Sequence, residues 1–123
     1  MATLDNRVFD NGLTVLDTEA NSIHVTSQEA TSYADATSTS TLGNSTSLSI
    51  GAPADRSGGG REVTVAAITD GSITATGTAT HYAIVDTANS RVLVTGALTA
   101  SQSVTDGNTF SLASFKIGIP DPA

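Results

Sequence analysis

The sequence predicts an all-β fold: a single antiparallel domain, a β-sandwich or barrel with the jelly roll among its forms, carrying an irregular N-terminal segment. Three observations predict it. From Glu62 to Ile119, five or six short runs of β-type residues recur at roughly 8–12-residue spacing, the signature of sandwiches and barrels. Turn-forming residues separate the runs, notably Asp70-Gly71, DTANS and Asp106-Gly107-Asn108. Ser and Thr make up roughly 30% of the chain, and threonine suits a half-exposed pleated strand while serine suits turns.

The elements follow in chain order. Residues 1–20 read as an arm or irregular segment, with Leu4, Val8 and Phe9 as isolated apolar residues ahead of an Asn11-Gly12 turn. LTVL and SIHVT alternate and read as short strands, although residues 13–20 fit a short helix equally well. The polar stretch TSYADATSTSTLGNST has few anchors, Tyr33 and Leu42 among them, and reads as a surface loop or a ragged edge strand. LSIGAP is a short strand ended by Pro53, which cannot donate to a ladder. Residues 21–56 thus hold short strands and a Ser/Thr-rich loop, and 57–61 are a glycine-rich loop. EVTVAAI then alternates towards Asp70-Gly71, the strongest short hairpin signal. SITATGTAT, HYAIVD, RVLVTGAL and TFSLASFKIGI complete the main antiparallel strands over 62–119. No span between strands has room for a helix of ordinary length.

Composition bounds the function. A chain of 123 residues is one domain's worth and buries about two thirds of its surface on folding. The apolar share is 38%, aromatics are 4% and tryptophan is absent, so the core is lean and gains from a partner surface. The net charge of −7 and five scattered cations at Arg7, Arg56, Arg61, Arg91 and Lys116 argue against nucleic acid and against an anionic membrane surface. No apolar run approaches the ~18 residues of a membrane span, and the polar, acidic start MATLDNRVFDNG is unlike a secretory leader. Without cysteine there are no disulfides and no thiolate sites.

The chemistry-bearing constellations are weak. His24 and His81 both fall in predicted strands, and no G-x-S-x-G accompanies them, so a hydrolase triad is not expected. Two histidines cannot complete a zinc site without carboxylates, and the calcium-loop pattern is absent. SGGGR precedes a strand, unlike a phosphate loop, and reads as a hairpin or a place where backbone passes close. Asn44-Ser45-Thr46 matches a glycosylation acceptor, without force in a bacterial host. A carbohydrate-binding module is the other small acidic β-fold to weigh, with Tyr33 and Tyr82 as its only available aromatic platforms. No enzyme activity, cofactor or metal is expected.

The segments LGN with its Ser/Thr-rich strand, IGAPADRSGGGR, ITDGSITATGTATHYAIVD and TDGNTFSLASFKIGIP cover about two thirds of the chain, residues 42–122. This run resembles a family of small proteins encoded by tailed phages and prophages. The resemblance implies a virion structural protein, in first place a head-decoration (cement) protein bound to the major capsid protein on the outer surface of the head. It would stabilise the capsid lattice as a homo-oligomer, a trimer favoured, or as a quasi-symmetric array. The alternative is a tail or adhesin component, with glycan binding among its roles. Leu4, Val8, Phe9, Arg61 and Tyr33 are the candidate capsid or subunit contacts.

Overall fold

The computed structural model describes residues 6–46 and 48–119, with the backbone alone for residues 6–10 and 99. The antiparallel all-β class is what the structure has, in two sheets of six and three strands. The chain divides into two compact units, one built from 1–19, 49–67 and 113–123 and the other from 20–48 and 68–112.

The smaller unit begins with helix α1 (Asn6–Glu19). The helix weighed for residues 13–20 therefore forms and starts earlier, and the expected Asn11-Gly12 turn is absorbed into it. Leu13 and Leu16, one turn apart on a single face, are 2% and 7% exposed, and the helix lies against β4 of its own unit. Burial of that face outweighs the cost of a mid-helix glycine, about 1 kcal/mol. Two-residue β3 (Ala54–Asp55), β4 (Arg61–Val65) and β9 (Phe115–Ile119) form the sheet, in the order β3-β4-β9. The glycine tract is the β3–β4 hairpin turn that the sequence suggests. Gly58, Gly59 and Gly60 have φ of 89°, 104° and 95°, a left-handed run that only glycine adopts without strain. LSIGAP contributes a single bridge, Ile50 to Val65.

The larger unit is one sheet in the order β7-β6-β1-β2-β5-β8. Its strands are β1 (Ser22–Thr26), β2 (Thr41–Ser45), β5 (Ile68–Ile73), β6 (Gly77–Asp86), β7 (Arg91–Val104) and β8 (Thr109–Leu112). The two central strands come from the weakly patterned part of the chain. TLGNS, expected in a loop or edge strand, is interior because Gly43 lets β5 close upon it: a Cβ there would strike the Ser72 carbonyl.

Asp70-Gly71 is not a hairpin turn. It lies inside β5, where the β5–β8 register slips between Ile68 and Gly71. Gly71 faces Phe110 directly, and a Cβ would collide with that ring, so the glycine serves close packing rather than a positive φ. Gly96 repeats the device under Tyr82, whose Oη would lie 2.6 Å from a Cβ. Two runs expected as single strands instead break, at Ala66-Ala67 and at Ala113-Ser114, each half pairing in a different sheet.

The turns at DTANS and Asp106-Gly107-Asn108 form as expected. Asp86 accepts from Ala88 N at 3.0 Å and Asn89 Nδ2 at 2.7 Å, and Gly107 has φ 89°. The second turn joins the two edge strands of the same sheet. A flat six-stranded sheet spaces its edges about 24 Å apart. The five steps from Val104 to Thr109 span at most about 18 Å, and an Asn108 N–H to Thr105 O bond of 3.0 Å tightens them further. The sheet is therefore curled, as in a partly open barrel. A slip in β7 leaves Leu98 to Ser101 without partners in the ladder, since Ala79 faces Gln102 while His81 faces Ala97, and lets the strand bend.

Candidate functional site

Strand β1 is buried on both faces, and its two faces differ in chemistry. Ile23 and Val25 point one way; Ser22, His24 and Thr26 point the other. Register places Asn44 of β2 and Ala83 of β6 on either side of His24. This second face is partly roofed by residues 27–40, which return over the sheet between β1 and β2. Ala30 and Ala36 pack with Ala83 and Val85, and Tyr33 and Val92 join the cluster.

The roof is held by one carboxylate. Asp35 accepts from the Thr31 N–H at 3.0 Å and from the Ser40 hydroxyl, and Ser32 Oγ accepts from the Asp35 N–H at 3.1 Å. Ser40 N donates to Asp35 O at 2.8 Å, closing a single π turn over Asp35–Thr39. The Ser40 hydroxyl first, then the Thr31 amide, hold the Asp35 carboxyl below the usual carboxylate range.

Beside the roof the face opens into a depression of about 530 Å³. Its floor is Ser22, His24 and Asn44; Tyr33 and Thr37 wall it from the roof. Asn21 and Thr87 close one end, tied by Asn21 Nδ2 to Thr87 Oγ1 at 2.8 Å and Thr87 N to Asn21 Oδ1 at 3.1 Å. Thr46 stands at the rim. Among the described residues the lining carries no Lys, Arg, Asp or Glu. His24 Nδ1 bonds Thr41 Oγ1 at 2.8 Å, and burial pushes its pKa below the ordinary histidine value, so the ring is neutral at pH 7. Among the described residues neither the Asn44 amide nor the Tyr33 hydroxyl makes a hydrogen bond. A neutral, polar, hydrogen-bonding surface with one aromatic wall can bind a neutral polar ligand.

The structure separates the other sequence-derived candidates. His81 lies in β6, with Nδ1 2.8 Å from Thr80 Oγ1, and among the described residues no carboxylate bonds either histidine. Arg61, in the β3–β4 hairpin, donates to Asp55 Oδ1 at 2.7 Å and to the Pro53 carbonyl at 3.3 Å. Val8 and Phe9 lie on α1, their side chains outside the described residues, as is Leu4 altogether. Of the candidate contacts with described side chains, Tyr33 lines the depression and Arg61 does not, while Tyr82 covers Gly96. Asn44, Thr37, Asn21 and Thr87 carry no ligand-binding signal in the sequence. A pairing register is needed to set Asn44 beside His24, and alternation alone does not supply one.

No protein-family model, no curated protein and no solved structure matches the chain.

Proposed function

We propose that this chain is a head-decoration protein of a tailed phage, binding the major capsid protein on the outer surface of the head and reinforcing the lattice. The observation that carries the reading is the edge of β7. This 14-residue strand borders its sheet and has no charged side chain from Val92 to Val104. Among the described residues β7 pairs with β6 alone, so its outer backbone edge faces no other strand of the ladder. Exposed sheet edges are usually blunted by charge, because unpaired N–H and C=O groups recruit another strand. A long uncharged edge suits docking by strand addition, with backbone bonds supplying affinity. Many copies, each adding contact area, would stabilise a shell by mass action. The resemblance of residues 42–122 to phage virion proteins supplies the capsid as partner, and a trimer fits a three-fold lattice position.

Purified shells with and without the protein test this. Shells lacking it are expected to open at lower temperature and in low salt. Adding back wild-type chain restores them, while Ala97→Lys, a charge on the exposed edge, restores them poorly. Equal resistance of bare and complete shells would overturn the proposal.

A further inference from the structure

The depression on the roofed face is separate from the β7 edge and carries a second reading. We propose that it is a binding site for a neutral saccharide of one or two rings, walled by Tyr33 and floored by Asn44 and His24.

Chemistry selects this ligand class. A saccharide offers hydroxyls that both donate and accept, beside apolar C–H faces. The Asn44 amide supplies two donors and an acceptor from a side chain that no described residue engages. His24 is clamped through Nδ1 to Thr41 Oγ1 at 2.8 Å, which leaves Nε2 as the ring nitrogen for a ligand. Clamping matters, because an oriented group loses little freedom on binding. Asn21 and Thr87 are likewise fixed to each other across the end of the site. Tyr33 is supported by the Ala30, Ala36, Ala83 and Val85 cluster, giving a rigid ring with a hydroxyl at its tip.

Other ligand classes fit poorly. Among the described lining residues an anion would meet no Lys or Arg, and a cation no carboxylate. An acyl chain would meet a floor of Ser, His and Asn and leave those groups unpaired, at about 1–3 kcal/mol each. The volume of about 530 Å³ is within the usual range of small-molecule sites.

The test uses the full chain labelled with ¹⁵N. It is titrated separately with the methyl glycosides of glucose, galactose and N-acetylglucosamine, and with sialic acid as an anionic control. At least one neutral glycoside is expected to give saturable amide shifts at residues 21–24, 33–37, 44–46 and 87, with a Kd on the order of 1 mM. Asn44→Ala should weaken that binding about tenfold, the effect of losing a hydrogen-bonding group from a polar site, with the spectrum elsewhere unchanged. Thr46→Arg at the exposed rim should block the site without touching the core. The proposal fails if all three neutral glycosides leave the spectrum unshifted, if shifts map elsewhere, if sialic acid binds the same residues equally well, or if both variants bind like wild type. None of these outcomes bears on whether shells need the protein, so the two proposals fail independently.

Discussion

His24 shows how one side chain takes its role from its surroundings. It lies 5% exposed in β1, bonded to Thr41, and burial lowers its pKa from the ordinary 6.5. The sign of the pH effect follows. The unfolded chain takes up the proton more readily than the folded one, so stability holds above about pH 6.5 and falls as pH drops through that value. Thermal melts from about pH 7.5 to 5.5 should show the wild-type midpoint falling and that of His24→Gln changing less; parallel curves would refute the assignment. The sequence displays His24 as a strand histidine, but neither Thr41 nor Asn44 as its neighbours. Those depend on a β1–β2 register that slips between Val25 and Thr26, an irregularity without a pattern of its own.

Glycine chemistry decides much at the level of the element, and the same substitution should act with opposite signs at two positions. Gly12 sits on an exposed part of α1, where a Cβ would meet Ile119 Cδ1 at 3.8 Å, an ordinary contact. Gly12→Ala should stabilise the protein by about 0.5–1 kcal/mol through helix propensity. Gly71→Ala would drive a methyl into the buried Phe110 ring and should cost about 1–3 kcal/mol. Urea unfolding of the two variants measures both, and stabilisation by Gly71→Ala would contradict the packing described. This pair also marks where sequence reading stops. Asp-Gly between β-type residues is a sound turn signal, as Asp106-Gly107 bears out. At Asp70-Gly71 a long-range partner overrides it, since Phe110 lies 39 positions on and Asp70 accepts from Ser45 Oγ at 3.0 Å instead of shaping a turn. Similarly, β4 with β5 and β8 with β9 read as continuous strands because alternation records burial and does not record which sheet does the burying.

For the molecule as a whole, the antiparallel β class was legible, while the exact strand breaks and the order of strands were not. Turn spacing revealed the β-rich second half, where periodicity and turn residues coincide. It could not reveal that β1, a short alternating run, and β2, drawn from polar low-complexity sequence, would occupy the middle of the larger sheet. Nor could it reveal that a short turn joining opposite edge strands would curl that sheet. Two surfaces argued above lie on this sheet: an uncharged strand edge suited to another protein, and a neutral depression beside a pinned roof. The roof was legible only as a Ser/Thr-rich loop, because its anchor is one aspartate ringed by hydroxyls and amides rather than an apolar pattern. The central claim is that the first of these surfaces docks on a phage head. Cryo-electron microscopy of the intact particle tests it most directly. The account predicts density for this chain on the outer face of the head, at lattice three-fold positions if it trimerises, with the outer edge of β7 against the major capsid protein. Density confined to the tail, or a particle without the chain, would contradict it.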